Sequence, residues 1–173
     1  MRIHIIFTGG TIGSTLAGDV ISAARGAPRA LLTRYREQCG DTTEFSYTEP
    51  YTILSENLTF SHLVALRDEI LRQSEENDAI IVTHGTDTLP FTATALSYLL
   101  GLCRVPVVLV SSNYVLSDTR ANGIENLASA LTFLRQTPGA RGVFVSYQNK
   151  GEVTKLHRGA RLFSHLAPTD EVR

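Results

Sequence analysis

The stretch that decides the fold is residues 80–101, IIVTHGTDTLPFTATALSYLLG. It opens on Ile80-Ile81-Val82-Thr83, a short β-branched run of successive apolar positions, the pattern of a strand covered on both faces. A corner rich in hydroxyls follows, Thr83-His84-Gly85-Thr86-Asp87-Thr88, and beyond it Ala93, Leu96 and Leu100 recur at helical spacing. Asp87 suits the N-cap of that helix, Pro90 its first turn, and Gly101 the position just past its end.

Working outward, Ile3 to Phe7, residues 105–110 (VPVVLV) and residues 142–147 (GVFVSY) are similar buried-strand runs. Leu63, Leu66 and Ile70 mark one further helix, and Ile124, Leu127, Leu131 and Leu134 another, with Pro138-Gly139 after it. The alternation of strand and helix predicts an α/β fold, a doubly wound, mostly parallel sheet flanked by helices in a Rossmann- or flavodoxin-like three-layer sandwich. Pro28 to Gln38 reads as one more helix and Phe45 to Leu54 as a strand interrupted at Pro50. The residues after Lys155 are polar and mixed, like the start of a connection. The length of 173 residues fits a single domain over 1–173.

Lys and Arg number 16 against 17 Asp and Glu, a formal charge of −1, so there is no basic footprint for nucleic acid or an anionic membrane. The apolar run at Ile3–Phe7 is too short for a membrane span or a signal-peptide core, which leads us to expect a cytoplasmic protein acting on a small molecule. Cys39 and Cys103 stand in no Cys-x-x-Cys spacing, so neither a disulfide framework nor a metal site is expected, and no motif calls for an organic cofactor.

In a sheet of this kind ligands bind where strands run into helices. Two corners are dense in glycine and hydroxyls: Thr8-Gly9-Gly10-Thr11-Ile12-Gly13 and Thr83 to Thr88. Leu54-Ser55-Glu56-Asn57 is a third of similar kind. Gly10 and Gly85 allow close backbone approach, so that N–H groups can face a substrate anion, and the threonines offer nucleophiles. The first corner lacks both the G-x-G-x-x-G spacing and a G-K-[ST] ending, which argues against nucleotide binding.

Together these residues resemble the bacterial-type L-asparaginase family, whose signatures T-G-G-T-I and H-G-T-D-T stand intact and in order at Thr8–Ile12 and His84–Thr88. The resemblance continues through Ser55-Glu56, Asn122-Gly123 opening a helix, and Gly142-Val143-Phe144-Val145 leading to Glu152-Val153-Thr154-Lys155. It implies hydrolysis of L-asparagine to L-aspartate and ammonia through an acyl-enzyme, without metal or cofactor. Thr11 would be the nucleophile, with N–H groups of Gly10 to Thr11, or others nearby, as oxyanion donors. Thr86, Asp87 and Lys155 would form a second catalytic cluster, with Lys155 as a desolvated proton relay. Ser55 would hold the substrate α-carboxylate and Asp87 its ammonium. Family sites are shared between subunits, so a homodimer or tetramer is expected.

The sequence also departs from that family. The 173 residues are expected to lack the smaller C-terminal domain that completes the family's site, and with it the glutamate that this domain supplies. The tyrosine expected in the mobile loop after the first signature is absent from Ser14 to Ala24, and the first tyrosine is Tyr35. Ser111-Ser112-Asn113-Tyr114 replaces a pattern closer to G-A-M-R-P. Glu56 stands where many relatives have glutamine, and its carboxylate is expected to replace part of the missing glutamate at the ammonium.

Each of these residues has a plainer reading beside the functional one. Thr8, Thr11 and Thr86 could simply cap corners, Asp87 the helix; Lys155 and Glu56 could be solvated side chains, and His84 a structural corner histidine. His62, His157 and His165 read as surface residues. Two alternatives to a complete amidohydrolase are a binding module for aspartate or asparagine that has lost turnover, and the ammonia-releasing, asparaginase-like subunit of a tRNA-dependent amidotransferase. Asparagine and glutamine stay undivided at this stage, since one methylene is worth only about 1 to 3 kcal/mol in a pocket.

Overall fold

A computed structural model describes residues 1–17, 20–23, 27–101 and 103–163. The continuous apolar runs become strands β1 (Ile3–Phe7), β5 (Ala79–Thr83), β6 (Pro106–Val110) and β7 (Gly142–Tyr147), buried over nearly all their length. With β4 (Ser46–Thr48) and β8 (Lys155–Arg158) they form a six-stranded sheet of order β4-β1-β5-β6-β7-β8. All neighbours are parallel except β8, which runs antiparallel to β7.

Side chains alternate between the two faces of the sheet, and each face has its own core. Ile6, Val82, Leu109 and Val145 pack beneath helices α2 (Phe60–Ser74) and α3 (Leu89–Leu99). Ile5, Ile81, Val108 and Phe144 pack beneath α1 (Ala27–Cys39) and α4 (Gly123–Gln136). The expected three-layer, doubly wound arrangement is thus present. One polar residue interrupts β1: the His4 ring is satisfied by Ser46 Oγ at 2.8 Å and Thr48 Oγ1 at 3.0 Å on β4. Burial lowers its pKa and favours the neutral imidazole, against the opposing pull of Glu69.

Four local expectations are corrected. The helix after the 80–83 strand starts one residue later than Asp87 implied: Thr88 is its N-cap, and an extra turn, closed by Leu89 N–H to the Thr86 carbonyl at 3.2 Å, precedes it. The polar stretch from Lys155 is the edge strand β8, paired with β7 on one side, its ends Lys155 and Arg158 exposed and Leu156 and His157 partly buried. The segment Ser14 to Ala24 contains an antiparallel pair, β2 (Ser14–Ala17) and β3 (Val20–Ala23), in place of the expected loop; Gly18, Asp19 and Ala24 lie outside the described residues. His157 is half-buried and not the expected surface residue, whereas His62 keeps to the surface and caps α2, its Nδ1 accepting from Thr59 N–H at 3.2 Å. The expectation for His165 falls outside the described residues. Among the described residues no helix is long and apolar enough to cross a membrane.

The chain steps from β1 outward to β4, then crosses back past β1 to β5. Strand order therefore reverses at β1 and β5, and a crevice is expected at their carboxyl ends.

Candidate active site

Neighbouring strands stand about 4.8 Å apart, so the corners that leave β1 and β5 must pack against each other with almost no space between them. Glycine resolves this. Gly10, at φ +73°, lies against Gly85: a Cβ built on it would sit 2.5 Å from Gly85 Cα. Gly9, at φ +98°, lies just as close to the Ile53 backbone. A Cβ on Gly85 would land on the Ser55 hydroxyl. Three corners from distant parts of the chain meet backbone to backbone, and hydrogen bonds stitch them together. Gly10 N–H donates to the Ile53 carbonyl at 2.9 Å, and Ile53 N–H to the Thr8 carbonyl at 3.1 Å. Thr8 Oγ1 donates to the Thr83 carbonyl at 2.6 Å, and Thr88 Oγ1 to the Ser55 carbonyl at 3.2 Å.

This frame places the expected site residues. Thr11 and Thr86 each follow one of the two abutting glycines, both partly exposed, Thr11 opening a 3-10 turn anchored by the buried Ile12. Ser55 is buried at the start of the Ser55–Asn57 turn and donates its hydroxyl proton to the Asp87 carboxylate at 3.2 Å. Asp87 and Glu56 are exposed. Gly10, Thr11, Ser55, Gly85, Thr86 and Asp87 thus gather at the carboxyl ends of β1 and β5. His84 is buried beneath them; its N–H donates to the Val110 carbonyl at 2.9 Å and its Nδ1 lies 2.8 Å from the Gly85 carbonyl. Burial lowers its pKa, outweighing the Gly85 carbonyl and Asp87, so the ring is neutral and serves as a corner strut.

Two expectations about roles change with the geometry. The Gly10 N–H is committed to Ile53 and is not available to an oxyanion. Lys155 opens β8, beside the end of β7 and three strand spacings from β5, about 14 Å. Its ammonium pairs with Glu152 at 2.6 Å and its side chain is 52% exposed, so in this arrangement it is solvated. Between β6 and β7 a cavity of about 520 Å³ opens beside Glu152. Its walls are joined by Asn122, which accepts from Asn113 N–H at 3.0 Å and donates to the Gln148 carbonyl at 2.8 Å.

Sequence reasoning missed Ile53, Thr8 and Thr88 as the residues that tie the corners together. Thr8 and Thr88 lie within the signatures but read only as corner residues. Ile53 carries no local signal, since its part is played by its backbone.

Residues 2–164 match the family described as asparaginase, N-terminal. The L-asparaginase of Thermococcus kodakarensis is 31% identical over 165 residues, covering 91% of this chain and 48% of that protein. Its solved structure superposes with a TM-score of 0.81 at 25% identity, over 100% of this chain and 51% of that one. A component of the glutamyl-tRNA(Gln) amidotransferase of Saccharolobus islandicus is 27% identical over 163 residues, covering 93% of this chain and 37% of that protein. The structure of a probable cytoplasmic L-asparaginase from Campylobacter jejuni gives a TM-score of 0.74 at 27% identity, over 94% of this chain and 47% of that one. The chain therefore spans about half the length of the L-asparaginases it matches. With both signatures built into one glycine-packed crevice and the family match running from residue 2 to residue 164, this chain belongs to the asparaginase N-terminal family.

Proposed function

We propose that the chain is the hydroxyl-bearing half of an amidohydrolase that converts L-asparagine to L-aspartate and ammonia. The observation that carries this reading is the packing of Gly10 on Gly85, which sets Thr11 and Thr86 on adjacent corners beside the Ser55–Asp87 pair. Thr11 Oγ1 attacks the side-chain amide carbon, and the carbonyl oxygen takes the developing negative charge. Thr86 moves the proton lost by Thr11 towards the departing ammonia. Water then cleaves the ester on Thr11 and restores the hydroxyl. Ser55 holds the substrate carboxylate, while Asp87, and Glu56 alongside it, hold the ammonium. Lys155 is the proton relay, which requires it to leave Glu152 and lose solvent when the site is completed, by a further domain or by a second copy in a homodimer or tetramer. A cytoplasmic location and use of L-glutamine as a second substrate accompany the reading. It needs no metal or organic cofactor.

The solvated state of Lys155 favours a second reading, a module that binds aspartate or asparagine without turnover. Similarity to a component of a glutamyl-tRNA(Gln) amidotransferase leaves room for ammonia release on behalf of a partner. Ammonia release from L-asparagine, measured for the purified chain and for Thr11→Ala and Thr86→Ala, separates these. Release abolished by both substitutions is the expected result. Stoichiometric aspartate binding by a folded chain that releases no ammonia would instead support the binding module.

A further inference from the structure

Beneath the meeting point of the three corners lies a crevice walled by Thr8, Tyr51, Ser55 and His84, too tight to admit a water molecule. Tyr51 lies outside both signatures. Its ring packs on the core under α2 and against the His62 ring, with 4.8 Å between centroids, so it is held on two sides. Its hydroxyl is buried and meets no hydrogen-bond partner among the described residues. Burial pushes its pKa up, so the phenol keeps a proton to donate. A buried donor without a partner costs stability, and native proteins retain few of them.

Acceptors stand in the same crevice. Thr8 Oγ1 gives its only proton to the Thr83 carbonyl at 2.6 Å, and Ser55 Oγ gives its own to Asp87 at 3.2 Å. Each oxygen retains lone pairs that could accept from a phenol. The Ser55–Asp87 bond is long, and a ligand bearing both a carboxylate and an ammonium would compete for both ends of it, the carboxylate for the Ser55 hydroxyl and the ammonium for Asp87.

We propose that Tyr51 is a positioning residue whose hydroxyl acquires its partner only when the site is occupied. Ligand binding draws the Ser55 turn away from Asp87, and the small shift brings a crevice hydroxyl within reach of the phenol, which then fixes the turn in its bound position. The inference rests on the reading of this site as one for an amino acid and extends it to a residue beneath the signature corners.

The test titrates L-aspartate into the full chain and into Tyr51→Phe by calorimetry, alongside thermal denaturation without ligand and near-ultraviolet tyrosine difference spectra. The substitution is expected to leave the ligand-free protein at least as heat-stable as the parent. It should raise the aspartate Kd about 3- to 10-fold and abolish the tyrosine difference band that aspartate produces in the parent. An unchanged Kd, or a ligand-free variant less stable than the parent, would overturn the proposal, the latter because the hydroxyl would already have a partner. Tyr51→Leu separates ring from hydroxyl: weakened binding there but not in Tyr51→Phe assigns the effect to ring packing and also overturns it. A parent chain that binds no aspartate removes the amino-acid reading and this inference together, whereas binding indifferent to the phenol removes only the inference.

Discussion

Adding a single methyl group to Gly10 is expected to be among the most damaging small changes in this protein. The new Cβ would lie 2.5 Å from Gly85 Cα and closer still to its nitrogen, both backbone atoms that no rotamer change can move. Carbon atoms pack at about 3.5 to 4.0 Å, so the two corners must separate by roughly 1 Å, against the 2.9 Å bond from Gly10 N–H to Ile53. A residue with a side chain also pays about 1 to 2 kcal/mol for the left-handed conformation at φ +73°, and overpacking adds about 1 to 3 kcal/mol. Gly10→Ala should therefore lose about 2 to 5 kcal/mol, a large share of the roughly 5 to 15 kcal/mol typical of a domain. Gly85→Ala is the informative contrast. Gly85 has no positive φ, and its methyl would clash with the Ser55 side chain while meeting the Gly10 backbone at an ordinary 3.4 Å, so the loss should be about 1 to 2 kcal/mol, with Ser55 pushed off Asp87. Urea denaturation of both variants measures the difference. A loss below about 1 kcal/mol for Gly10→Ala, or a larger loss for Gly85→Ala, would refute the argument that backbone contact governs this corner.

Two further outcomes follow from the polar contacts. Burial alone would raise the Asp41 pKa, but hydrogen bonds from Thr43, Tyr35 and Arg135 outweigh it and hold the carboxyl well below its usual range, with Arg135 at 2.5 Å. A folded-state pKa depressed in this way stabilises above the unfolded value of about 3.9 and is lost as pH falls towards the folded value. Asp41→Asn should therefore cost about 2 kcal/mol at pH 7 and flatten the fall in thermal midpoint below pH 4; an unchanged acid limb counts against it. Lys155→Met should shift stability by no more than about 0.5 kcal/mol, since an exposed ion pair contributes little, yet abolish ammonia release if Lys155 is the relay. Retained turnover would remove Lys155 from the mechanism.

The strands legible in the sequence are those buried on both faces. The Ile80-Ile81-Val82 run is apolar because α3 and α4 cover opposite sides of the central sheet, and composition records that directly. β8 escapes because an edge strand half in solvent reads Lys155-Leu156-His157-Arg158, which composition does not distinguish from a connection. The helix cap reads as Asp87 rather than Thr88 because an aspartate suits either the cap or the extra turn before it, and only the tertiary partner Ser55 decides between them. The site residues on the two signature corners are legible as a cluster because the motifs are local. The state of Lys155 is not, since solvation depends on what else covers the β8 end of the sheet. Nor is the network of Tyr35, Asp41 and Arg135, which joins residues up to 100 positions apart.

The position of β1 between β4 and β5 has a consequence for biosynthesis. Its five residues are wholly buried, yet its partner at Ala79 lies 76 residues beyond Ile3. At roughly 5 to 20 residues per second on a ribosome, an Ile-His-Ile-Ile-Phe segment waits about 4 to 15 s with one or both hydrogen-bonding edges unmatched. During translation such a segment is a template for pairing between nascent chains. The polar His4, second residue of the strand, whose ring finds Ser46 and Thr48 only when β4 arrives, then breaks the run of apolar residues at the moment when self-association would be easiest.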